Sequence, residues 1–361
     1  MQRLPKTAGA VRAQAQALPI LLTTLSLPGA GVMARLGGRP TACDTAVAGI
    51  STTVIRPDGR PPPWPTLVFM NGATPDGRNH PTVQRLGAAL ARAGVSVFIP
   101  DLHGVAAGEL SPKTLAEAVA VAEAAAASPA AAGERVGLAG VSVGGTLALL
   151  AAADDRLRKR ISVVACVAPF GDLADVMRLA TTGPAPPNYL RTGLARSLAA
   201  MLAVTSETEE LYNQLRAVDP DTGQPVRFPE RAFRAAGPDA SKVYDLLANT
   251  DAARFDELYE ALPIDIHRAI ASLSPIHAAH RIRARVEIAT APRDAYFPLS
   301  QARALAAASP QVRLTVTSLL AHATPRLSTR YVAELRRLDA FFVRALAGVR
   351  LSGDLRAAAV E

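Results

Sequence analysis

The chain has little of what stabilises or marks small specialised scaffolds. Only two cysteines, Cys43 and Cys166, occur in 361 residues, so there is no disulfide framework, and neither a CxxC pair nor a Cys/His cluster with zinc spacing is present. Aromatic residues make up 4% and charged residues 19% of the chain. With 49% hydrophobic residues, that balance excludes disordered, fibrous and coiled-coil classes. Lysine is scarce too: Lys6, Lys113, Lys159 and Lys242 are the only ones among 39 basic residues. The formal charge of +8 is therefore an arginine excess spread along an alanine-rich chain. No basic run is interleaved with aromatics and no nucleic-acid-binding motif accompanies it, so nucleic acid is not an expected partner.

Acidic residues are absent from residues 1–43, which carry Arg3, Lys6, Arg12, Arg35 and Arg39 around an apolar run from Ala17 to Leu27. At about eleven residues the run falls well short of the roughly 20 needed to span a bilayer. Pro19 and Pro28 also punctuate it. A basic start, a short apolar middle, and Val32 and Ala34 near a processing point fit a signal peptide. Peripheral membrane contact through residues 1–34 and an arm packed on the body fit as well. The preferred reading is the packed arm of a cytoplasmic protein, with export and membrane contact left open.

This length suits one large domain with an insertion. An extended segment from Ala46 to Ile55 and a proline-rich link, Pro61 to Pro65, lead into the apolar run Leu67 to Met70. A helical stretch from Pro81 to Arg92 and a second apolar run, Val95 to Ile99, follow. The alternation continues with a helix from Ser111 to Ala127, a strand from Arg135 to Ala139, a helix from Ser142 to Ala153 and a strand from Ile161 to Ala168. Ser111 and Pro112 form an N-cap and first-turn pair. Strands without polar alternation, separated by helices, predict a mostly parallel sheet covered on both faces. The pattern resumes with Val286 to Ala291, a helix from Leu299 to Ala308, the strand Val312 to Ser318 and a terminal helix from Leu327 to Leu346. In that helix Leu335, Leu338, Phe342 and Ala345 share one face.

Between Phe170 and Arg283 no apolar run reads as a buried strand, and a structureless loop of that length is improbable. Helix-like pieces at Thr192 to Val204, Glu207 to Val218, Ser241 to Ala248 and Asp251 to Leu262 predict a helical insertion. It holds half of the chain's aromatic side chains, from Phe170 to Tyr259, expected mostly as its own core.

Gly140-Val141-Ser142-Val143-Gly144-Gly145 lies between a strand and an alanine- and leucine-rich helix. A serine on so sharp a turn needs small neighbours, because the turn crowds against the adjoining strand and helix. Its hydroxyl then stands at the carboxyl edge of the sheet, near the positive end of the helix.

On these residues the sequence resembles the α/β-hydrolase superfamily, whose triad appears in the order serine, acid, histidine. In that family the acid follows the strand two beyond the nucleophile strand, and the histidine follows the last strand. Asp294, trailed by Ala295-Tyr296-Phe297-Pro298, and His322 stand at those places. The resemblance implies an α/β-hydrolase core at residues 45–169 and 284–347 and a helical cap at 170–283. The cap and the N-terminal arm (1–44) match no known pattern, and residues 348–361 are left as a C-terminal tail. It further implies that Ser142 attacks a carbonyl carbon, that His322 takes the hydroxyl proton, and that Asp294 orients the imidazole and stabilises its charged form. Developing charge on the oxygen is expected to meet the backbone N–H of Val143 and a second donor from the loop after the third strand. There the family's His-Gly is replaced by Asn71-Gly72-Ala73-Thr74, making Ala73 the expected donor and Gly72 its alternative. Serine at position 142 argues against relatives that use aspartate or cysteine as nucleophile.

The implied activity is cleavage of a small-molecule carboxylic ester, with an apolar or small acyl group and with no metal or organic cofactor. Thioesterase, lactonase, peptidase and acyltransferase chemistry remain open, as does a non-catalytic, ligand-binding member of the fold. Asp172 is a reserve acid. His103, in Asp101-Leu102-His103-Gly104, is a candidate for the site edge. His277 and His280 lie one helical turn apart without a third ligand, Cys166 reads as inert core, and His80 and His267 carry no signal. Oligomeric state is not legible.

Overall fold

Apolar runs with no polar alternation become strands covered on both faces, and the computed structural model follows that rule. It describes residues 17–24, 38–184, 186–220, 224–322, 324–325 and 331–357. Eight strands make one sheet: β1 (Thr41–Val47), β2 (Ile50–Arg56), β3 (Thr66–Met70), β4 (Ser96–Pro100), β5 (Val136–Val141), β6 (Ile161–Val167), β7 (Arg285–Thr290) and β8 (Val312–Val316). Their order is β1-β2-β4-β3-β5-β6-β7-β8. Strands β3 to β8 run parallel, and β2 is antiparallel to both of its neighbours.

Where the sequence predicts one extended segment from Ala46 to Ile55, the structure has a hairpin. Val47 pairs with Ile50, so the turn has two residues, Ala48 at φ 52 and Gly49 at φ 79. Positive φ at both positions is the geometry that matches strand twist, and it usually announces itself as Asn-Gly or Asp-Gly. Alanine in that place hides the turn.

Side chains alternate across the sheet as a pleat requires. Val68, Met70 and Leu138 point to one face, covered by helices Pro112–Ala126, Val143–Ala153 and Leu299–Ala308. Leu67, Phe69, Val97 and Ile99 point to the other, covered by helix Pro81–Arg92 and the terminal helix. Ser111 caps Pro112–Ala126 through a reciprocal pair with Thr114, which satisfies two otherwise orphaned donors. The described terminal helix runs from Tyr331 to Ala357 and ends later than expected, while the expected start at Leu327 lies outside the described residues. Val349 is buried on the sheet, so the expected tail from residue 348 begins as helix.

Residues 17–24 are helical. Ile20 packs in one cluster with Phe69, Val83 and Leu346, and Leu21 in another with Leu338 and Phe341. The first eight residues of the N-terminal apolar run are thus part of the body. Val32 and Ala34, read as flanking a processing point, lie outside the described residues, as do residues 1–16 and 358–361. Among the described residues no helix is long and apolar enough to cross a membrane.

Between β6 and β7 the described chain is helical: Leu173–Thr182, Asn188–Ala199, Ser206–Arg216, Glu230–Ala235, Pro238–Ala248, Phe255–Glu260, Ile264–Ser272 and Pro275–Ala278. Phe233 and Phe255 are fully buried there. They belong to the same apolar cluster as Val68, Leu138 and Leu147 of the sheet layer, so the insertion shares its core with the sheet. Helix Leu173–Thr182, absent from the sequence reading, starts at Asp172, whose carboxylate accepts from Ala174 N–H at 2.8 Å.

Left-handed backbone costs an L-residue about 1–2 kcal/mol unless the side chain tolerates it, as asparagine does. Ala48→Asn at this exposed turn is therefore expected to raise unfolding free energy by about 0.5–1 kcal/mol, read from the urea midpoint. A lower midpoint would contradict the turn geometry.

Candidate active site

Strand β5 ends at Val141 and the next helix begins at Val143. Ser142 alone makes the turn, at φ 55 and ψ −125. Such backbone costs a non-glycine residue of order 1–3 kcal/mol and persists only where the surroundings over-determine it. Here they do. A Cβ on Gly140 would lie 2.2 Å from the Gly144 carbonyl oxygen, and one on Gly144 only 2.1 Å from that of Met70. The two glycines let the helix abut β3 and β5, and Ser142 is left projecting from the corner. Its side chain does not cap the helix, so the hydroxyl is available to another partner.

That partner is His322. Its Nε2 lies 2.8 Å from Ser142 Oγ, and its Nδ1 lies 2.9 and 3.0 Å from the two oxygens of Asp294. His322 sits in the turn between two short paired strands, β9 (Leu320–Ala321) and β10 (Thr324–Pro325), at φ 54. Asp294 follows β7, its side chain fully shielded from solvent. Its Oδ1 also accepts the N–H groups of Tyr296 at 2.9 Å and Phe297 at 3.0 Å, an Asx-type turn that fixes the carboxylate. A carboxylate can only accept, so Nδ1 carries a proton and neutral Nε2 presents its lone pair to the serine. The Tyr296 ring lies tilted over the imidazole at 4.6 Å, and Phe297 meets its edge at 5.2 Å.

These groups open into a cavity of about 380 Å³. Gly72, Ala73 and Val143 line it beside Ser142. Among the described residues the N–H groups of Ala73 and Val143 donate to no protein acceptor, leaving both free for a ligand oxygen. Asn71 accounts for the missing histidine in this loop: its side-chain amide donates to the Gly77 carbonyl at 2.8 Å and to Thr74 Oγ1 at 3.3 Å, tying the loop to itself. The far wall is apolar, with Phe170, Leu173, Val176, Leu190 and Leu194. Among the described residues His322 is its only titratable side chain apart from Tyr189 and Tyr296.

The remaining candidates lie elsewhere. Asp172 serves as a helix cap and is not part of this cavity. His103 lies outside it as well, 3.9 Å from buried Glu109 in a neighbouring cavity. His277 and His280 are exposed. Cys166 is fully buried, donates to the Gly145 carbonyl, and has its thiol pKa pushed up by burial. Sequence reasoning missed the aromatic flanks of His322, although Tyr296-Phe297 was visible beside Asp294. It also missed the wall formed by Gly108, Leu110, Gly193 and Ser197, which carries no spacing signal because two distant segments make it.

A family model described as "Alpha/beta hydrolase family" matches residues 67–356. Among solved structures the chain is similar to Est1E from Butyrivibrio proteoclasticus, at 15% identity and a TM-score of 0.50, over 85% of this chain and 98% of that one. It is similar to dipeptidyl peptidase 4 from Porphyromonas gingivalis at 13% identity and a TM-score of 0.50, over 87% of this chain and 37% of the peptidase. DphMB1 matches at 20% identity and a TM-score of 0.47, over 86% of this chain and 85% of that one. At identities this low, the likeness to Est1E and to the peptidase speaks for the fold alone. No curated protein matches significantly.

Because a Cβ at position 144 has only backbone to displace, Gly144→Ala is expected to cost about 3 kcal/mol or more, whereas Val143→Ala in the same turn should cost less than half of that. Equal chemical-denaturation midpoints for the two variants would contradict the close approach.

Proposed function

The chain belongs to the alpha/beta hydrolase family, and from that premise we propose that it is a serine hydrolase that cleaves a carboxylic ester through an acyl-enzyme on Ser142. The observation that carries the reading is the imidazole of His322, within hydrogen-bond reach of Ser142 on one side and of Asp294 on the other. A serine hydroxyl is a poor nucleophile until a base removes its proton, and a neutral imidazole is the side chain suited to that task.

His322 Nε2 takes the Ser142 proton as Oγ bonds to the carbonyl carbon. Asp294 stabilises the imidazolium without becoming protonated itself. Charge gathering on the carbonyl oxygen is met by the free N–H groups of Val143 and Ala73, each worth about 3–4 kcal/mol in the transition state. His322 then returns the proton to the departing alkoxide and the alcohol leaves. A water, deprotonated by the same nitrogen, attacks the acyl-enzyme, and collapse of the second adduct frees the acid and restores Ser142. No metal or organic cofactor enters this sequence. The apolar wall favours an uncharged acyl group, since a charge moved into it would lose hydration without a partner. Thioester and lactone substrates require the same steps, and transfer to an alcohol differs only in the second nucleophile.

Ser142→Ala is expected to abolish turnover of p-nitrophenyl butyrate while changing unfolding free energy by no more than about 1 kcal/mol. Retained turnover would exclude Ser142 as the nucleophile. Asp294→Asn should lower the rate by about 10⁴-fold by inverting the imidazole tautomer. Asp172→Asn should leave the rate unchanged, and a large loss there would move the acid to Asp172.

A further inference from the structure

An imidazole that takes a proton becomes a cation, and its surroundings decide what that charge costs. The side chain of His322 is 15% exposed and that of Asp294 is fully shielded, so water can solvate little of the charge. Asp294 meets the imidazole along the Nδ1–H bond, in the plane of the ring, with its two oxygens at 2.9 and 3.0 Å from the nitrogen. The faces of the ring are left to other neighbours. Among the described residues the cavity lining offers no further charged side chain: its other titratable groups are Tyr189 and Tyr296. The Tyr189 hydroxyl already donates to the Ala106 carbonyl at 2.9 Å. What remains beside the imidazole is aromatic.

The two aromatic neighbours meet the imidazole differently. Phe297 stands at 73° to it, with 5.2 Å between centroids, and at 65° to Phe170, again at 5.2 Å. Both phenylalanines are buried, so Phe297 is held by the apolar wall and holds the imidazole in turn. Tyr296 lies at 32° and 4.6 Å, nearer to face-on, and is half-buried where it lines the cavity. The face of an aromatic ring carries the negative part of its quadrupole, and a cation within about 6 Å of the centroid is attracted to it. A neutral imidazole in the same place gains packing alone. One carboxylate sets both rings, since Asp294 Oδ1 accepts the Tyr296 N–H at 2.9 Å and lies 3.0 Å from His322 Nδ1.

We propose that the face of the Tyr296 ring stabilises the imidazolium that His322 becomes on taking the Ser142 proton, which makes Tyr296 a positioning residue that acts through His322. This rests on the hydrolase reading above, in which His322 is the base. No bond forms or breaks at Tyr296. The proton moves from Ser142 Oγ to His322 Nε2, and the ring is attracted to the charge that this transfer creates. Because the attraction appears only with the charge, it lowers the barrier without tightening the hold on the substrate. The phenolic hydroxyl takes no part.

The test keeps the shape of the ring and changes its charge distribution. Tyr296→Phe is compared with the same variant in which that phenylalanine is fluorinated stepwise to the pentafluoro form, because fluorine drains negative charge from the face at nearly constant size. Three quantities are measured: kcat and KM for p-nitrophenyl butyrate, inhibition by an alkyl trifluoromethyl ketone, whose tetrahedral adduct on serine pairs an oxyanion with the imidazolium, and the urea midpoint. Tyr296→Phe is expected to stay within about twofold of the unaltered protein, and kcat to fall with each fluorination step, about 5- to 30-fold in all, at constant KM. The ketone inhibition constant should rise by the factor by which kcat/KM falls. A ring that only confines the imidazole would leave the series alike, so unchanged kcat and ketone affinity across it, whatever the urea midpoints, overturn the proposal. So does a Tyr296→Phe variant that has already lost the full factor, because the hydroxyl would then be the agent. Ser142→Ala separates the two failures: if it is inactive while the fluorinated series keeps full kcat, only the role of Tyr296 is lost, and if it remains active, the hydrolase reading falls too.

Discussion

One strained residue between a strand and a helix is what the rest of the site depends on. Ser142 is held at positive φ because Gly140 and Gly144 allow backbone to approach backbone where any Cβ would collide. That packing is local and steric, so it survives whatever happens at the edge of the cavity. It also leaves Ser142 Oγ out of the helix cap and free to meet an imidazole. Strain of this kind is retained at functional sites when the surrounding core supports it. Here the helix after Ser142 is buried along its whole length, from Val143 to Ala153.

Everything else at the site is orientation. Asp294 is fixed by two amides of its own loop before it meets the histidine, and its shielding from water strengthens its hold on Nδ1. Tyr296 and Phe297 confine the ring from two directions. The helices between β6 and β7 share one core with the sheet, so they are a wall of the cavity beside Ser142 with the rigidity of the body behind them.

Much of this was legible in the sequence because its causes are local. Unbroken apolar runs mark strands covered on both faces, and the glycines around Ser142 mark a collision that other residues would suffer. Asp294 and His322 were legible through the resemblance, which expects the acid and the histidine after particular strands. The illegible parts have non-local or atypical causes. The β1–β2 hairpin turns on alanine where asparagine would have declared it. Asp172 looked like a spare acid because a helix cap and a catalytic carboxylate use the same residue type, and the helix it starts went unseen with it. The meeting of Gly108 with Gly193 joins segments far apart in the chain, and no periodicity reports that.

The most direct test of Ser142 as a nucleophile is the mass of the protein itself during turnover. Quenching a reaction with p-nitrophenyl butyrate in acid, followed by peptide mass spectrometry, should reveal one butyryl increment, on the peptide that contains Ser142. Steady turnover with no acylated protein, or with the increment on a different residue, would contradict the account.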